Sequence, residues 1–423
     1  MRPGDIEKMV ARAITVVQML PELESGGVER GTLEMGRYLC RHGHRSIVIS
    51  AGGRLVERLL KEGSEHLVWQ VGRKTPVCLK YILPLRRLLV REKVDILHLR
   101  SRLPAWIGYL AWKSLPEKLR PKLVTTFHGF YSVNAYSAVM TRGQKVIAIS
   151  GAVADHIRQC YRVPQERIVR IFRGVDETEF SPDMVSPARV ACLRKSWDLG
   201  EGEGPVAMLP GRLTRLKGHD VFFTALASIR SLPWIAVCVG DAENPAYAAE
   251  LRCRIRQLGL DNRVRMVGYC QDMPAAYLLA DVVVSATSGE AEAFGRIAVE
   301  AQAMGRPVIA SAHGGSLETV LDGETGRLFT PGDPQSLAAA LKDLLADRSV
   351  LNQYARAARK WVKKRFAVET MCGETLKVYK MLLNHDSIGC AGRFEESADH
   401  TDVRSGRCIQ NASSFEGDCG AFS

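Results

Sequence analysis

Short runs rich in Val and Ile alternate along this chain with amphipathic stretches of helical length, and that alternation permits few folds. It is the sequence form of a parallel α/β sheet flanked by helices, because a parallel strand pair needs a long crossover and a helix supplies it. The predicted strands of the first half cover residues 14–19, 46–50, 96–99, 123–127 and 145–149, with helical stretches over 28–42, 79–92 and 150–161. A less regular, proline-containing stretch follows over 181–205. The alternation then restarts with strands over 206–209, 235–239, 265–267, 281–285 and 307–310. The restart predicts two successive α/β domains. The length of 423 residues agrees with that count, since a single core stops growing near about 250–300 residues.

The predicted division is a first domain over 1–176, an interdomain segment over 177–204 and a second domain over 205–365. A segment over 366–385 is expected to return to the first domain. Residues 349–365 read as a basic terminal helix, and the tail over 386–423 reads as disordered, being rich in Gly, Ser, Asp and Glu with few large apolar residues. In such an architecture ligands are expected in the cleft between the domains, at the carboxyl ends of strands.

With 46% hydrophobic and 25% charged residues, the composition excludes collagen-like, mucin-like and wholly disordered chains. The net charge of +12 is unevenly placed: residues 1–176 carry 30 basic and 15 acidic side chains, the remainder 28 and 31. A positive half implies an anionic partner, whether phosphorylated substrate, anionic lipid surface or nucleic acid. Eleven cysteines spread from Cys40 to Cys419 without a C-x-x-C pair read as isolated thiols of a reducing compartment. The apolar stretch over 14–20 is interrupted by Gln18 and followed by Pro21 and Glu22, so it reads as a first strand and not as a signal peptide. No apolar run approaches the ~18 residues of a membrane-crossing helix, so any membrane contact is expected to be peripheral.

The second domain opens with a strand and then Gly211, Arg212, Leu213, Thr214, Arg215, Leu216, Lys217 and Gly218. Glycine lets a backbone approach a ligand closely, and Arg and Lys on a loop at a strand's end suit a diphosphate, one as a fork and the other as a point charge. Alone, such a loop is as easily a solvated basic turn. Further on stand Glu290, Ala291, Glu292, Ala293, Phe294, Gly295, Arg296 and then Glu300. Glu292 fits the loop before a helix and Glu300 lies about two turns in, so both carboxylates are able to face one cleft and accept bonds from sugar or ribose hydroxyls. Two exposed helix acids would be the plain alternative. The pair is followed, however, by Gly305, Arg306, Pro307, then His313, Gly314, Gly315, Ser316, Leu317, Glu318, and Asp322, Gly323, Thr325, Gly326.

At this point the chain resembles the retaining nucleotide-sugar glycosyltransferases of family four, over roughly residues 14–380. Motifs agreeing in order and spacing include Ser25, Gly26, Gly27, Val28, Glu29; Thr126, Phe127, His128, Gly129; Ile149, Ser150; and Gly174, Val175, Asp176. The resemblance implies the GT-B fold, an α/β architecture of two facing Rossmann-like doubly wound domains with an interdomain cleft. It implies that Arg212 and Lys217 hold the donor diphosphate, Glu300 the ribose and Glu292 the transferred sugar. It also implies that backbone groups near Gly26, Gly27, Gly211, Phe294 and Gly295 lie by the donor, and His128 by the reacting sugar. Breaking a sugar-phosphate bond leaves negative charge on the departing diphosphate, which Arg212 and Lys217 are suited to stabilise. No metal or other cofactor is expected, and there is no Asp-x-Asp motif of the kind that holds Mg²⁺ against a diphosphate.

Three further expectations follow. His128 ends the apolar run 123–127 and so belongs at a strand's carboxyl end. Gly26 and Gly27 predict a turn that a Cβ would obstruct, opening a helix near Val28, and their pattern is not the dinucleotide fingerprint of nicotinamide enzymes. Arg173 stands where the family often has Asn, which leaves that contact open.

For the acceptor, Arg100 and Arg102 follow the strand ending at Leu99 and are expected to face the cleft, where they would meet phosphates. Lys80, Arg86, Arg87, Arg91 and Lys93 among Leu83, Leu85 and Leu88 suit either a basic amphipathic helix on an anionic bilayer or a helix packed on the sheet, with Pro84 limiting its length. Resemblance of Gly26 to Glu34, Ser101 to Trp106 and Tyr131 to Tyr136 to lipopolysaccharide-assembly members of the family implies a phosphorylated or lipid-linked saccharide acceptor, foremost lipopolysaccharide core. It also implies a cytoplasmic enzyme, peripheral on the inner face of the inner membrane. The alternatives are a GT-B nucleotide-sugar epimerase and, from another class, a basic nucleic-acid-binding protein; the first reading has no nucleic-acid partner.

Overall fold

The computed structural model describes residues 12–391, apart from Ser25, Lys74, Glu201 and Glu243. The chain through Leu382 packs as one compact unit. Two wholly parallel sheets lie within it. The first is built from β1 (Thr15–Met19), β2 (Arg45–Ser50), β3 (Glu65–Val68), β4 (Ile96–Leu99), β5 (Lys122–Phe127), β6 (Lys145–Ala148) and β7 (Ile168–Arg170), in the order β3-β2-β1-β4-β5-β6-β7. The second is built from β8 (Val206–Pro210), β9 (Ile235–Val239), β10 (Val264–Gly268), β11 (Val282–Ser285), β12 (Val308–Ser311) and β13 (Gly326–Phe329), in the order β10-β9-β8-β11-β12-β13.

Both orders reverse direction beside their first strand, between β1 and β4 and between β8 and β11. That reversal splays the crossovers to opposite faces and leaves a crevice at the strands' carboxyl ends, where doubly wound folds place their ligands. The central strands are largely apolar and buried, because both of their faces are covered. Val16, Val17 and Met19 of β1 are fully buried, with Val17 in register with Ile47 on one side and Leu97 on the other. In the second sheet Val283 lies between Met208 and Val308.

The helices around the sheets include α1 (Gly27–Arg41), α2 (Ile82–Arg91), α3 (Arg102–Lys113), α4 (Gly151–Tyr161), α5 (His219–Ser228), α6 (Arg296–Ala303), α7 (Arg348–Arg365) and α8 (Val368–Ala391). In α4 the Ser150 hydroxyl accepts from the Val153 amide at 3.1 Å, which satisfies one of the helix's free amides. The helix expected over 79–92 is divided: a 3₁₀ segment, Pro76–Tyr81, leads into α2. Pro84 falls in the first turn of α2, where a missing N–H leaves no bond unmade.

Three strands escaped the sequence reading, β3, β7 and β13, and all three are sheet edges. An edge strand has one neighbour and partly wet faces, so its residues are mixed; Glu65–Val68 and Gly326–Phe329 contain no continuous Val/Ile run. The helix read as terminal over 349–365 is not the last. After α7 the chain passes back, the Val175 amide donating to Phe366 at 2.8 Å and the Val368 amide to Val175 at 3.0 Å, and α8 follows. Tyr379 of α8 is fully buried with its hydroxyl 2.6 Å from Nδ1 of His98, on β4. Because α8 extends to Ala391, the first residues of the tail read as disordered are helical; 392–423 lie outside the described residues.

Candidate active site

The loops that leave the switch-point strands β8 and β11 meet. After β8, Gly211 adopts φ +145, and Arg215–Lys217 form one 3₁₀ turn ended by Gly218 at φ +69. Only glycine takes these conformations without strain, and a Cβ on Gly218 would also collide with the carbonyl oxygen of Ala286, just past β11. The Ser288 amide donates to Leu216 at 2.9 Å, so the two loops are locked backbone to backbone. This brings Nζ of Lys217 to 3.1 Å from Oε2 of Glu292, which also accepts from the Thr287 hydroxyl at 2.9 Å. Their side chains keep 26% and 21% of their surface exposed, enough for a ligand to reach the pair. Arg212 is solvent-exposed on the same loop.

A third loop fixes the second from behind. Gly314 and Gly315, after β12, have no room for a Cβ because the backbone of Glu292 and Phe294 presses on them, and the Gly315 amide donates to Glu292 at 2.7 Å. The first domain joins in: the Ser150 hydroxyl donates to the Ala293 carbonyl at 2.6 Å, and Glu318 accepts from the Gly151 amide at 2.8 Å, capping α4 from the other domain. The Glu292 loop is thus held from three sides.

Other predicted site residues have protein partners of their own. Glu300 lies on α6 and is only 7% exposed: Oε1 accepts from Nε of Arg296 at 2.9 Å, Oε2 from the Tyr277 hydroxyl at 3.1 Å, and Arg30 of α1 stands 3.5 Å away. It belongs to a cross-domain ion network, since Arg296 also pairs with Glu34 of α1 at 2.8 Å. Phe294 is expected by the donor through its backbone, and its side chain is found in the interior. It is buried against Phe172 and Phe366 in an aromatic cluster, because the turn at Gly295, φ +91, directs it inward. Arg100 is corrected: it is 4% exposed, with Nη1 on Gln18 at 2.5 Å, and does not face the cleft. Arg102 is half-buried at the start of α3, over the rings of Tyr131 and Tyr136 at 4.9 and 5.5 Å.

Gly26 caps α1 in an extended conformation, and a Cβ there would meet only the Glu29 carboxylate; at Gly27 a Cβ would meet nothing within 4 Å. The fold therefore does not demand glycine at 27, contrary to the expected obstructed turn, and open space lies above it. Ser25 is outside the described residues. Arg173 fills the place left open: its guanidinium bonds the Gly27 carbonyl oxygen and is buried.

His128 follows β5. Its Nε2 is buried without a hydrogen-bond partner, and burial, then the nearby Arg173 and Arg100, hold its pKa well below the usual histidine range. It is neutral at pH 7, able to give or take one hydrogen bond. Arg30 and Glu34 were missed because they act across domains, and Tyr277 because it reaches Glu300 from a separate helix. The one available signal was charge on an inward face, Arg30, Glu34 and Arg37 at helical spacing, where apolar residues are expected.

Two family models cover most of this arrangement: glycosyl transferases group 1 over residues 194–361, and glycosyltransferase family 4 over residues 25–179. A curated relative, the D-inositol 3-phosphate glycosyltransferase of Xylanimonas cellulosilytica, is 31% identical over 310 residues, covering 67% of this chain and 71% of that protein. The chain belongs to the group 1 glycosyltransferases. A glycosyltransferase from Rickettsia africae superposes with a TM-score of 0.81 at 33% identity, over 88% of this chain and 99% of that one. Anabaena Alr3699/HepE in complex with UDP-glucose superposes at 0.73 with 26% identity, over 86% of this chain and all of that one. The fold is GT-B, and the chain is an enzyme of the nucleotide-sugar-dependent glycosyltransferase class. Among the described residues no helix is long and apolar enough to cross a membrane.

Proposed function

We propose that this glycosyltransferase takes a sugar from a nucleoside diphosphate donor seated at the ends of β8 and β11. It adds that sugar, with retention and without a metal, to a phosphorylated or lipid-linked saccharide of the cell envelope, the lipopolysaccharide core first among them. The observation that carries the reading is the Lys217–Glu292 pair, 3.1 Å apart on two interlocked switch-point loops. As the sugar-phosphate bond breaks, negative charge gathers on the departing diphosphate. Lys217, with Arg212 on the same loop, is preorganised to stabilise it, at no reorganisation cost when the bond breaks. Glu292 holds Lys217 in place and retains lone pairs for a sugar hydroxyl. Neutral His128, with its unpartnered Nε2, suits a hydroxyl of the sugar or acceptor. Retention follows the family resemblance.

Arg102 and the basic first domain support an anionic acceptor. On α2, Leu83 and Val90 are exposed at 60% and 42% beside exposed Arg87 and Arg91, which supports peripheral contact with an anionic membrane from the cytoplasmic side. A second reading, transfer to a small anionic polyol, is favoured by the 31%-identical relative named for inositol 3-phosphate.

The test has two stages. Melting the protein with UDP, GDP, ADP and CMP identifies the donor base, because a ligand bound only by the folded state raises the melting temperature. Nucleotide release from the matching sugar donor is then followed with lipopolysaccharide core or inositol phosphate, with EDTA present. Release that needs an acceptor supports transfer and separates it from an epimerase. Activity lost in EDTA and restored by Mg²⁺ sinks the metal-free part, and no response to any nucleotide sinks the donor site.

A further inference from the structure

Beneath α1, where α8 returns to the first sheet, lies a small cavity whose lining residues are all buried. Its polar lining is His98, Arg100, Thr126, Arg173 and Thr375; no carboxylate lines it. Arg100 and Arg173 are 4% and 5% exposed. Two guanidinium groups in so dry a place need counter-charge, since a buried cation without a partner is among the costliest features a fold carries. Among the described residues neither has a carboxylate within ion-pair distance. Arg100 makes one bond, to neutral Gln18, and its Nε has no partner; Arg173 bonds the Gly27 carbonyl. Burial pulls the Arg173 pKa down to about 9. The carboxylate of Glu34 acts on Arg173 from a distance: its Oε1 bonds Arg296, and its buried Oε2 reaches neither guanidinium of the cavity.

We propose that this cavity is the site of one small monovalent anion of the chloride class, held between Arg100 and Arg173. Size selects the ligand: the cavity has about 20 Å³ of room, above the roughly 10–15 Å³ that one water needs. A halide fits, and a tetrahedral phosphate with its four oxygens does not. A third donor comes from a hydrogen-bonded chain. In the tautomer with the ring proton on Nε2, the Tyr379 hydroxyl donates to Nδ1 of His98 at 2.6 Å and Nε2 donates to Oγ1 of Thr126 at 2.7 Å. The Thr126 hydroxyl hydrogen is then free for the anion. Burial first, then Arg100 and Arg173, hold the His98 pKa well below its usual range, so the ring is neutral and this tautomer is available. Gly31 completes the site, because a Cβ there would displace the Arg173 guanidinium. The anion neutralises charge at the junction of β4, α1 and α8 and so fastens the last helix to the first domain.

The test is independent of what the enzyme transfers. The full chain is melted in potassium chloride, bromide, phosphate and gluconate at equal ionic strength. Chloride and bromide are expected to raise the melting temperature by several degrees over gluconate and phosphate. Arg173→Asn and Arg100→Gln should abolish the halide difference whatever their own baseline stability. Crystals grown in bromide should show an anomalous peak between the two guanidinium groups, a result that holds even where a variant fails to fold. Equal melts in halide and gluconate, a larger shift with phosphate, or a bromide crystal without that peak would each overturn the site and leave the cavity to water.

Discussion

The Glu34–Arg296 pair ties the two domains together across the cleft, and its energy can be measured. The side chains are 8% and 18% exposed and the bond is 2.8 Å, so this is a buried pair and not a screened surface one. Removing one partner of a buried pair costs about 3–5 kcal/mol, mostly because the other charge is stranded. In Glu34→Gln the stranding is partial. Arg296 keeps Glu300 at 2.9 Å through Nε, which places the expected loss at the bottom of that range, about 3 kcal/mol. A double-mutant cycle with Arg296→Met, read by urea unfolding at pH 7, should return a coupling of similar size. Burial alone would raise the Glu34 pKa, but Arg296, Arg173 and Arg30 outweigh it and the net shift is downward. A depressed folded-state pKa means the contribution is complete above the unfolded value of about 4.3 and is lost as pH falls through the folded value. The coupling should therefore be constant from neutral pH to the lower fives and vanish in acid. Additive single variants at pH 7, with coupling below about 0.5 kcal/mol, would refute the claim that this pair is buried and structural.

Three other outcomes are expected. Lys217→Ala and Glu292→Ala should each lower kcat about 10²- to 10³-fold while the far-UV spectrum and melting temperature stay near wild type; full turnover in either removes that residue from the site. Gly218→Ala forces a φ of +69 on a residue with a Cβ and drives it into the Ala286 carbonyl. Stability should fall by more than the ~1–2 kcal/mol of the left-handed conformation alone, and kcat with it, as the Lys217 loop shifts; an unchanged melt would show that the loops are not locked. Between pH 6.5 and about 4 stability should decline, because burial keeps His219 neutral down to about 4 while the unfolded chain takes up a proton below about 6.5. The lowered folded-state pKa makes the unfolded state the greater proton binder, so stability rises with pH through this window, and His98 adds in the same sense. Urea midpoints that do not change across it would contradict both assignments.

The fold was legible where one residue's neighbours along the chain already carried its environment. A central strand such as β8 or β9 is buried on both faces, so its own sequence is a continuous apolar run, and two sets of apolar-rich runs separated by one irregular stretch specify two doubly wound sheets. Edge strands break that rule. Glu65 and His66 of β3 are set by what lies beside them in space, and no periodicity in residues 65–68 reports that neighbour. The same blindness affected the last helix: α8 mixes Gly373, Cys372 and Tyr379 on its buried side, and only its docking against β4 makes that mixture apolar enough to hold.

The site was legible in the same local sense and failed at long range. Lys217 and Glu292 are 75 positions apart, yet each sits on a short loop after a central strand, and strand order brings those loops together; each motif alone was open to a plain reading, and the family resemblance put both at one donor. Glu300 was read with the same logic, but its partners Arg30 and Tyr277 arrive from another domain and another helix, and its own segment announces neither. Arg100 shows the limit most clearly. A cation directly after a switch-point strand is where a ligand-facing residue belongs, and sequence spacing cannot distinguish a side chain pointing outward from one that turns back toward Gln18. What turns it is the arrival of α8, 281 positions downstream in the His98–Tyr379 bond, closing the space above β4. Burial of a charge is thus decided by whichever late segment of chain covers it, and a cation covered in this way requires a counter-charge that no local motif announces.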